Sequence, residues 1–125
     1  MYRNRPTRKQ EEMESNQSAE ALTDQIGRRF VKSFLDILIL QLVASGPTWG
    51  YDIIKRTETQ YKVKLRHGAL YPMLNMLEAK RLVKSRRELW KGRARKVYEI
   101  TDDGKQLLQA YRNFIKQHLP KKTTA

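Results

Sequence analysis

One stretch, residues 29–44, limits what this chain can become. Wound at 3.6 residues per turn, Phe30, Val31, Phe34, Leu35, Ile37, Leu38, Ile39, Leu40, Leu42 and Val43 leave only a narrow polar strip. A helix that is apolar nearly all round has to be covered nearly all round. It is therefore expected as the central post of a small fold, or also as part of a subunit interface. Ser45, Gly46 and Pro47 end it, with glycine near the terminus and proline beyond. A chain of 125 residues suits one domain with a modest core. The longest unbroken apolar run, residues 37–40, lies between Asp36 and Gln41 and is far short of a membrane span. The polar start MYRNRPTRKQ has no apolar segment of signal-peptide type, and a cytoplasmic location is expected.

Around this post the other pieces fall in order. Residues 1–17 have almost no apolar side chains and are expected as a disordered arm. From Ser18 the pattern changes. Leu22, Ile26 and Phe30 recur every fourth residue, as in an amphipathic lead-in helix, although Gly27 weakens it. Thr48 is expected to cap a helix over about 49–61, with Tyr51, Ile54 and Tyr61 on one face and Ile53 beside it. A third helix is expected over about 68–80. Its stripe of Leu70, Met73, Leu74 and Leu77 faces the core, and Pro72 lies near its first turn. Residues 82–90 and 96–100 read as strands joined by a basic loop, 91–95, that contains Gly92. Thr101 is expected to cap a last helix, with Asp102 and Asp103 answering its dipole. Leu107, Tyr111, Phe114 and His118 step along that helix by 4, 3 and 4, with Leu108, Ile115 and Leu119 adjoining. This band is wider than docking on one domain needs, and it is read as a dimer helix, with simple packing on the protein's own core as the alternative; Phe30 is expected in the same interface.

The placement of charge points to a polyanion. The net charge is +13, yet residues 1–28 hold five basic and five acidic side chains. Residues 62–96 hold 12 basic residues against Glu78 and Glu88, a net of +10. Lys and Arg clustered in this way release counterions from phosphates. The outward side of the third helix carries Arg66, His67, Gly68, Tyr71 and Asn75, and Asn is a side chain that bonds adenine bidentately. Lys91, Arg93, Arg95 and Lys96 suit a wing lying on the DNA backbone or in a minor groove. The expected architecture is mainly α with a small β-hairpin: a winged helix-turn-helix over residues 18–119. It includes a dimerisation helix at about 102–119 and is followed by a flexible tail at 120–125.

Other classes fit less well. No cysteine is present, and His67 and His118 form no ligand motif, so neither a metal nor a cofactor is expected. Asp102 and Asp103 are explained by the helix start. The chain has no nucleophile–base motif, no HExxH and no phosphate-cradling glycine loop, and it is not expected to be an enzyme. A low-specificity protein that coats DNA would use the same basic stretch, and a protein–protein adaptor would not need it.

These residues resemble the PadR-like transcriptional regulators. The resemblance runs from about Phe30 to Leu108. It rests on Leu35-Asp36-Ile37-Leu38, Gly50-Tyr51-Asp52-Ile53, Gly68-Ala69-Leu70-Tyr71-Pro72-Met73-Leu74 with Leu77-Glu78, Lys96-Val97-Tyr98, and Ile100-Thr101-Asp102-Asp103-Gly104. It implies a winged-helix homodimer that binds a palindromic operator in double-stranded DNA and usually represses. Dimerisation would run through the C-terminal helix, with help from the N-terminal one. By position, His67, Gly68, Tyr71 and Asn75 would belong to the recognition helix, and Arg93 and Arg95 to the wing. The chain departs from the family at Arg81, where glycine is common, so a different helix end is expected there. Its single short C-terminal helix resembles the smaller branch of the family and leaves less room for a ligand pocket. Trp49 and Trp90 are aromatic candidates for such a pocket, but core or hairpin packing is the commoner use of tryptophan. No effector is assigned.

Overall fold

The structure, a computed structural model, describes residues 5–119. Its elements run α1 (Arg8–Ser33), α2 (Leu35–Ala44), β1 (Thr48–Trp49), α3 (Gly50–Tyr61), α4 (His67–Ala79), β2 (Val83–Trp90), β3 (Arg93–Ile100) and α5 (Asp102–His118). The expected tail at 120–125 and the first four residues of the expected arm lie outside the described residues. Among the described residues no helix is long and apolar enough to cross a membrane.

The central post is α2. Leu38, Ile39 and Leu40 have no exposed surface, and Leu42 and Val43 have almost none. Ile53 from α3, Leu70, Leu74 and Leu77 from α4, Val83 and Tyr98 from the hairpin, and Leu108 from α5 close around it. At the C-terminal end of α2, Arg56 donates from Nη1 to the Leu42 carbonyl (3.1 Å) and from Nη2 to Ser45 Oγ (3.0 Å). One of the carbonyls that a helix end leaves unpaired is thereby satisfied.

The expected single helix over 29–44 is divided. Phe34, at φ −122° and ψ 33°, separates α1 from α2. Phe34 closes the last turn of α1 by donating to the Phe30 carbonyl (2.8 Å) and opens α2 by accepting from the Leu38 N–H (2.9 Å), but the ladder is interrupted between the two, and the Ile37 N–H turns to Asp36 Oδ1 (2.8 Å). The break separates a helix that is buried from one that largely is not, since Met13, Leu22 and Ile26 on α1 are each more than half exposed.

At its other end α1 starts ten residues earlier than Ser18, so residues 8–17 are helical and not an unstructured arm. The reason is a reciprocal cap. Thr7 Oγ1 accepts from the Gln10 N–H (3.2 Å), and Gln10 Oε1 accepts from the Thr7 N–H (2.9 Å).

Three further boundaries differ from expectation. Thr48 caps no helix; it is buried in a two-residue strand paired with Tyr98 and gives its hydroxyl to Asp52 Oδ2 (2.7 Å). The sheet is therefore three-stranded and antiparallel, in the order β1-β3-β2. On α3 the buried side is Gly50, Ile53 and Thr57, whereas Tyr51 is 65% exposed. Pro72 is the sixth residue of α4, past the first turn, so the Gly68 carbonyl lacks the intrahelical donor that another residue would supply.

The end of α4 keeps a left-handed turn although the residue there is arginine. Arg81 has φ +60°, its N–H bonds the Glu78 carbonyl (2.9 Å), and the Leu82 N–H bonds the Leu77 carbonyl (2.9 Å). This is the Schellman pattern, formed at the cost of a conformation that L-residues disfavour. Thr101 then caps α5 as expected, accepting from the Gly104 N–H (3.1 Å) while donating to the Arg81 and Leu82 carbonyls. Gly104 is required at this junction because a Cβ there would collide with the Leu82 carbonyl oxygen and lie 2.7 Å from Ile100 Cγ1.

Candidate nucleic-acid interface

The inward stripe Leu70, Leu74 and Leu77 fixes which side of α4 faces out. On that outward side lie His67, Gly68, Tyr71 and Asn75, all exposed, with Arg66 at the N-cap. His67 and Tyr71, one turn apart, stack with centroids 5.6 Å apart and planes 9° from parallel. Tyr71 also lies across the start of α3. A Cβ at Gly50 would come within 2.6 Å of the Tyr71 hydroxyl, so the glycine there lets the two helices approach. Tyr71 is thus held from two sides and remains 41% exposed.

Glu78 joins this helix to the hairpin. Its Oε1 accepts from Ser85 Oγ (2.5 Å) and its Oε2 from Lys96 Nζ (3.2 Å). The Ser85 hydroxyl, together with Lys96, holds the Glu78 carboxyl below the ordinary glutamate value, outweighing the effect of burial. Tyr98 lies in the same region, and burial pushes its hydroxyl above the usual tyrosine value. Strand register sets what shares this hairpin face. Ser85 pairs with Tyr98, Arg87 with Lys96 and Leu89 with Ala94. Val83 at its base is buried, while Leu89 is 78% exposed, because the strands run out beyond the core.

The wing is longer and tighter than the sequence suggests. The expected five-residue loop is a two-residue turn, with Lys91 at φ +49° and Gly92 at φ +76°. Both central residues are left-handed, as a turn matching the strand twist demands. Arg93 and Arg95 therefore belong to β3. Arg93 is exposed opposite Trp90. Arg95 is not a cation of the tip. Its side chain is 19% exposed and packs on Trp49 and Trp90, with Nη2 3.3 Å from Glu88 Oε1. Lys96 is partly neutralised by Glu78 and Arg86 by Glu99, and Lys84 stands 3.9 Å from Glu99. Among the described residues, Lys64, Arg66, Arg87, Lys91 and Arg93 have no carboxylate within 4.0 Å.

Arg87 was missed by sequence reasoning, although it shares its face with Ser85. Its signal is the run Arg86-Arg87, in which only strand register decides which cation is paired.

The residues expected at a subunit interface separate in the same way. Leu108 is 4% exposed and belongs to the protein's own core, so it is withdrawn from that set. Phe30 stacks on Tyr61 at 5.7 Å. Tyr111 packs against Phe34 at 5.7 Å, and burial, with Asp36 adding to it, raises its hydroxyl above the ordinary tyrosine value. Ile115 is half-buried. Leu107 and Phe114 are exposed, the latter with His118 at 4.4 Å. Among the described residues no three His, Cys, Asp or Glu side chains are grouped to hold a metal.

A helix pair followed by a cationic hairpin, all docked on one buried helix, defines a winged-helix protein. The profile described as "Transcriptional regulator PadR-like family" matches residues 39–110. The chain belongs to the PadR-like family of transcriptional regulators. Solved structures agree. A PadR family transcription regulator from Clostridium difficile is 29% identical with TM-score 0.63, over 67% of this chain and 88% of that one. A PadR-like regulator from Bacillus cereus is 22% identical with TM-score 0.64, over 71% and 87%. One from Eggerthella lenta is 23% identical with TM-score 0.60, over 81% and 85%; these last two likenesses concern the fold. None of the curated proteins compared with the chain matches it.

Proposed function

We propose that the protein is a homodimeric repressor that binds a palindromic operator in double-stranded DNA and occludes a promoter. The observation that carries this reading is the Glu78 junction. Through Ser85 and Lys96 it sets the outward side of α4 beside a hairpin face bearing Arg87, with Lys91 at the turn beyond and Arg93 next to the turn on the other face. In this reading α4 enters the major groove, and His67, Gly68, Tyr71 and Asn75 meet base edges there. Arg66, Arg87, Lys91 and Arg93 hold phosphates, which supply affinity and register but little sequence information. Lys96 takes part only as far as Glu78 leaves it free.

Dimerisation is supported by apolar surface left open on α1 and along α5. Leu107, Phe114 and Leu119 at the C-terminal end, and Leu22 and Ile26 on α1, are exposed. A two-fold dimer places its recognition helices about one DNA turn, roughly 34 Å, apart. Footprinting on a bound promoter fragment tests the whole reading. Protection of a two-fold symmetric sequence, lost more than about tenfold on scrambling, is the expected result. Protection without symmetry, or equal binding to scrambled DNA, would replace it with low-specificity coating.

A further inference from the structure

Arg95 is turned inward. Its guanidinium carbon lies 3.8 Å from the centre of the Trp49 ring and 4.7 Å from that of Trp90. Trp49 is on β1, directly before α3, and Trp90 ends β2, directly before the two-residue turn. A side chain on β3 therefore reaches both the body of the domain and the far end of the hairpin. Arg95 Nε and Nη1 are buried without a hydrogen-bond acceptor, as expected when a guanidinium lies between ring faces and only its Nη2 edge reaches Glu88.

We propose that Arg95 is a positioning residue. Clamped between Trp49 and Trp90, it sets the angle of the wing against α3 and α4 and thereby presents Lys91 and Arg93 to phosphates. It makes no phosphate contact of its own. This rests on the DNA-binding reading above. Apart from the Lys96 contact to Glu78, the hairpin beyond Val97 has little else to hold it to the body of the domain, since Arg87, Leu89, Lys91, Arg93 and Ala94 are all exposed.

The test uses the full chain and a labelled duplex of mixed sequence, with affinity measured across a salt series. Each phosphate contact contributes about 0.9 to the slope of log affinity against log salt. Arg93→Gln is expected to lower that slope by about one. Arg95→Gln should weaken binding about tenfold at fixed salt with the slope unchanged. Arg95→Lys, which keeps the charge but not the planar stack, should not restore it. Trp90→Leu combined with Arg95→Gln should bind no more weakly than either variant alone, and tryptophan emission should shift to the red in both Arg95 variants.

A fall of about one in the slope for Arg95→Gln, with wild-type binding by Arg95→Lys, overturns the proposal in favour of a direct contact. So does unchanged affinity in both Arg95 variants. Failure of the DNA reading itself is distinguishable, because the wild type then shows no salt-dependent binding and Arg93→Gln changes nothing.

Discussion

Replacing Arg81 by glycine should make this protein more stable. Arg81 sits at φ +60° in the turn that ends α4. A left-handed conformation costs an L-residue about 1–2 kcal/mol. Glycine avoids that cost but loses more freedom on folding, by roughly 0.5–1 kcal/mol. The difference is a gain of about 0.5–1 kcal/mol, or about 2–4 °C in Tm for a domain of this size. Little offsets it. The Arg81 side chain is exposed and, among the described residues, has no carboxylate within 4.0 Å, and the bonds through Arg81 are backbone bonds that glycine retains. Urea unfolding of wild type, Arg81→Gly and Arg81→Ala at one protein concentration is the assay, because association contributes to apparent stability. Alanine removes the charge but keeps the Cβ, so it should be close to neutral. Equal gains from both variants would mean that charge repulsion and not backbone strain is being relieved. A loss for Arg81→Gly would refute the strain argument outright.

Further outcomes follow from the same geometry. Gly104→Ala should destabilise by about 1–3 kcal/mol in the same assay, because the neighbour it meets is the Leu82 backbone. Gly50→Ala, which meets only the end of the Tyr71 side chain, should cost less. Glu78 has its carboxyl held low in the folded protein, so its ionised form contributes stability that is present at neutral pH and lost as pH falls through the folded-state value. Glu78→Gln should flatten that acid-side fall in an unfolding series across pH. Phe114→Asp should shift the protein toward monomer in sedimentation velocity, and a wild-type dimer constant for this variant would remove α5 from the interface. Asn75→Ala should relax preference at one base position while leaving the salt slope intact, as measured with single-base operator variants.

What could be read in advance depended on how local the cause is. The stripe of Leu70, Leu74 and Leu77, the Thr101 cap with its two aspartates, and the all-round apolar α2 depend on neighbours within a turn or two, and each has the expected role. The break at Phe34 involves neither glycine nor proline, so no helix-breaking residue announces it, and the Asp36 side chain that takes the Ile37 N–H there reads as an ordinary polar position. Strand β1 exists only because β3 comes back to pair with it. Lys91 and Arg81 adopt left-handed angles that composition assigns to glycine, which hid a two-residue turn within an apparent five-residue loop. The Thr7–Gln10 cap has the spacing of a capping box but lies in a polar segment that composition alone assigns to an unstructured arm. Arg95 was misplaced for a non-local reason. Its partner Trp49 is far away in the chain, and only the register of β1 on β3 brings the two together.

The central claim, that the outward side of α4 and the wing cations form one surface that reads duplex DNA, is tested most directly by selecting bound sites from random duplexes. The account predicts a single enriched motif with two-fold symmetry and half-sites about one helical turn apart. Enrichment of no motif, or of one without symmetry, would contradict it.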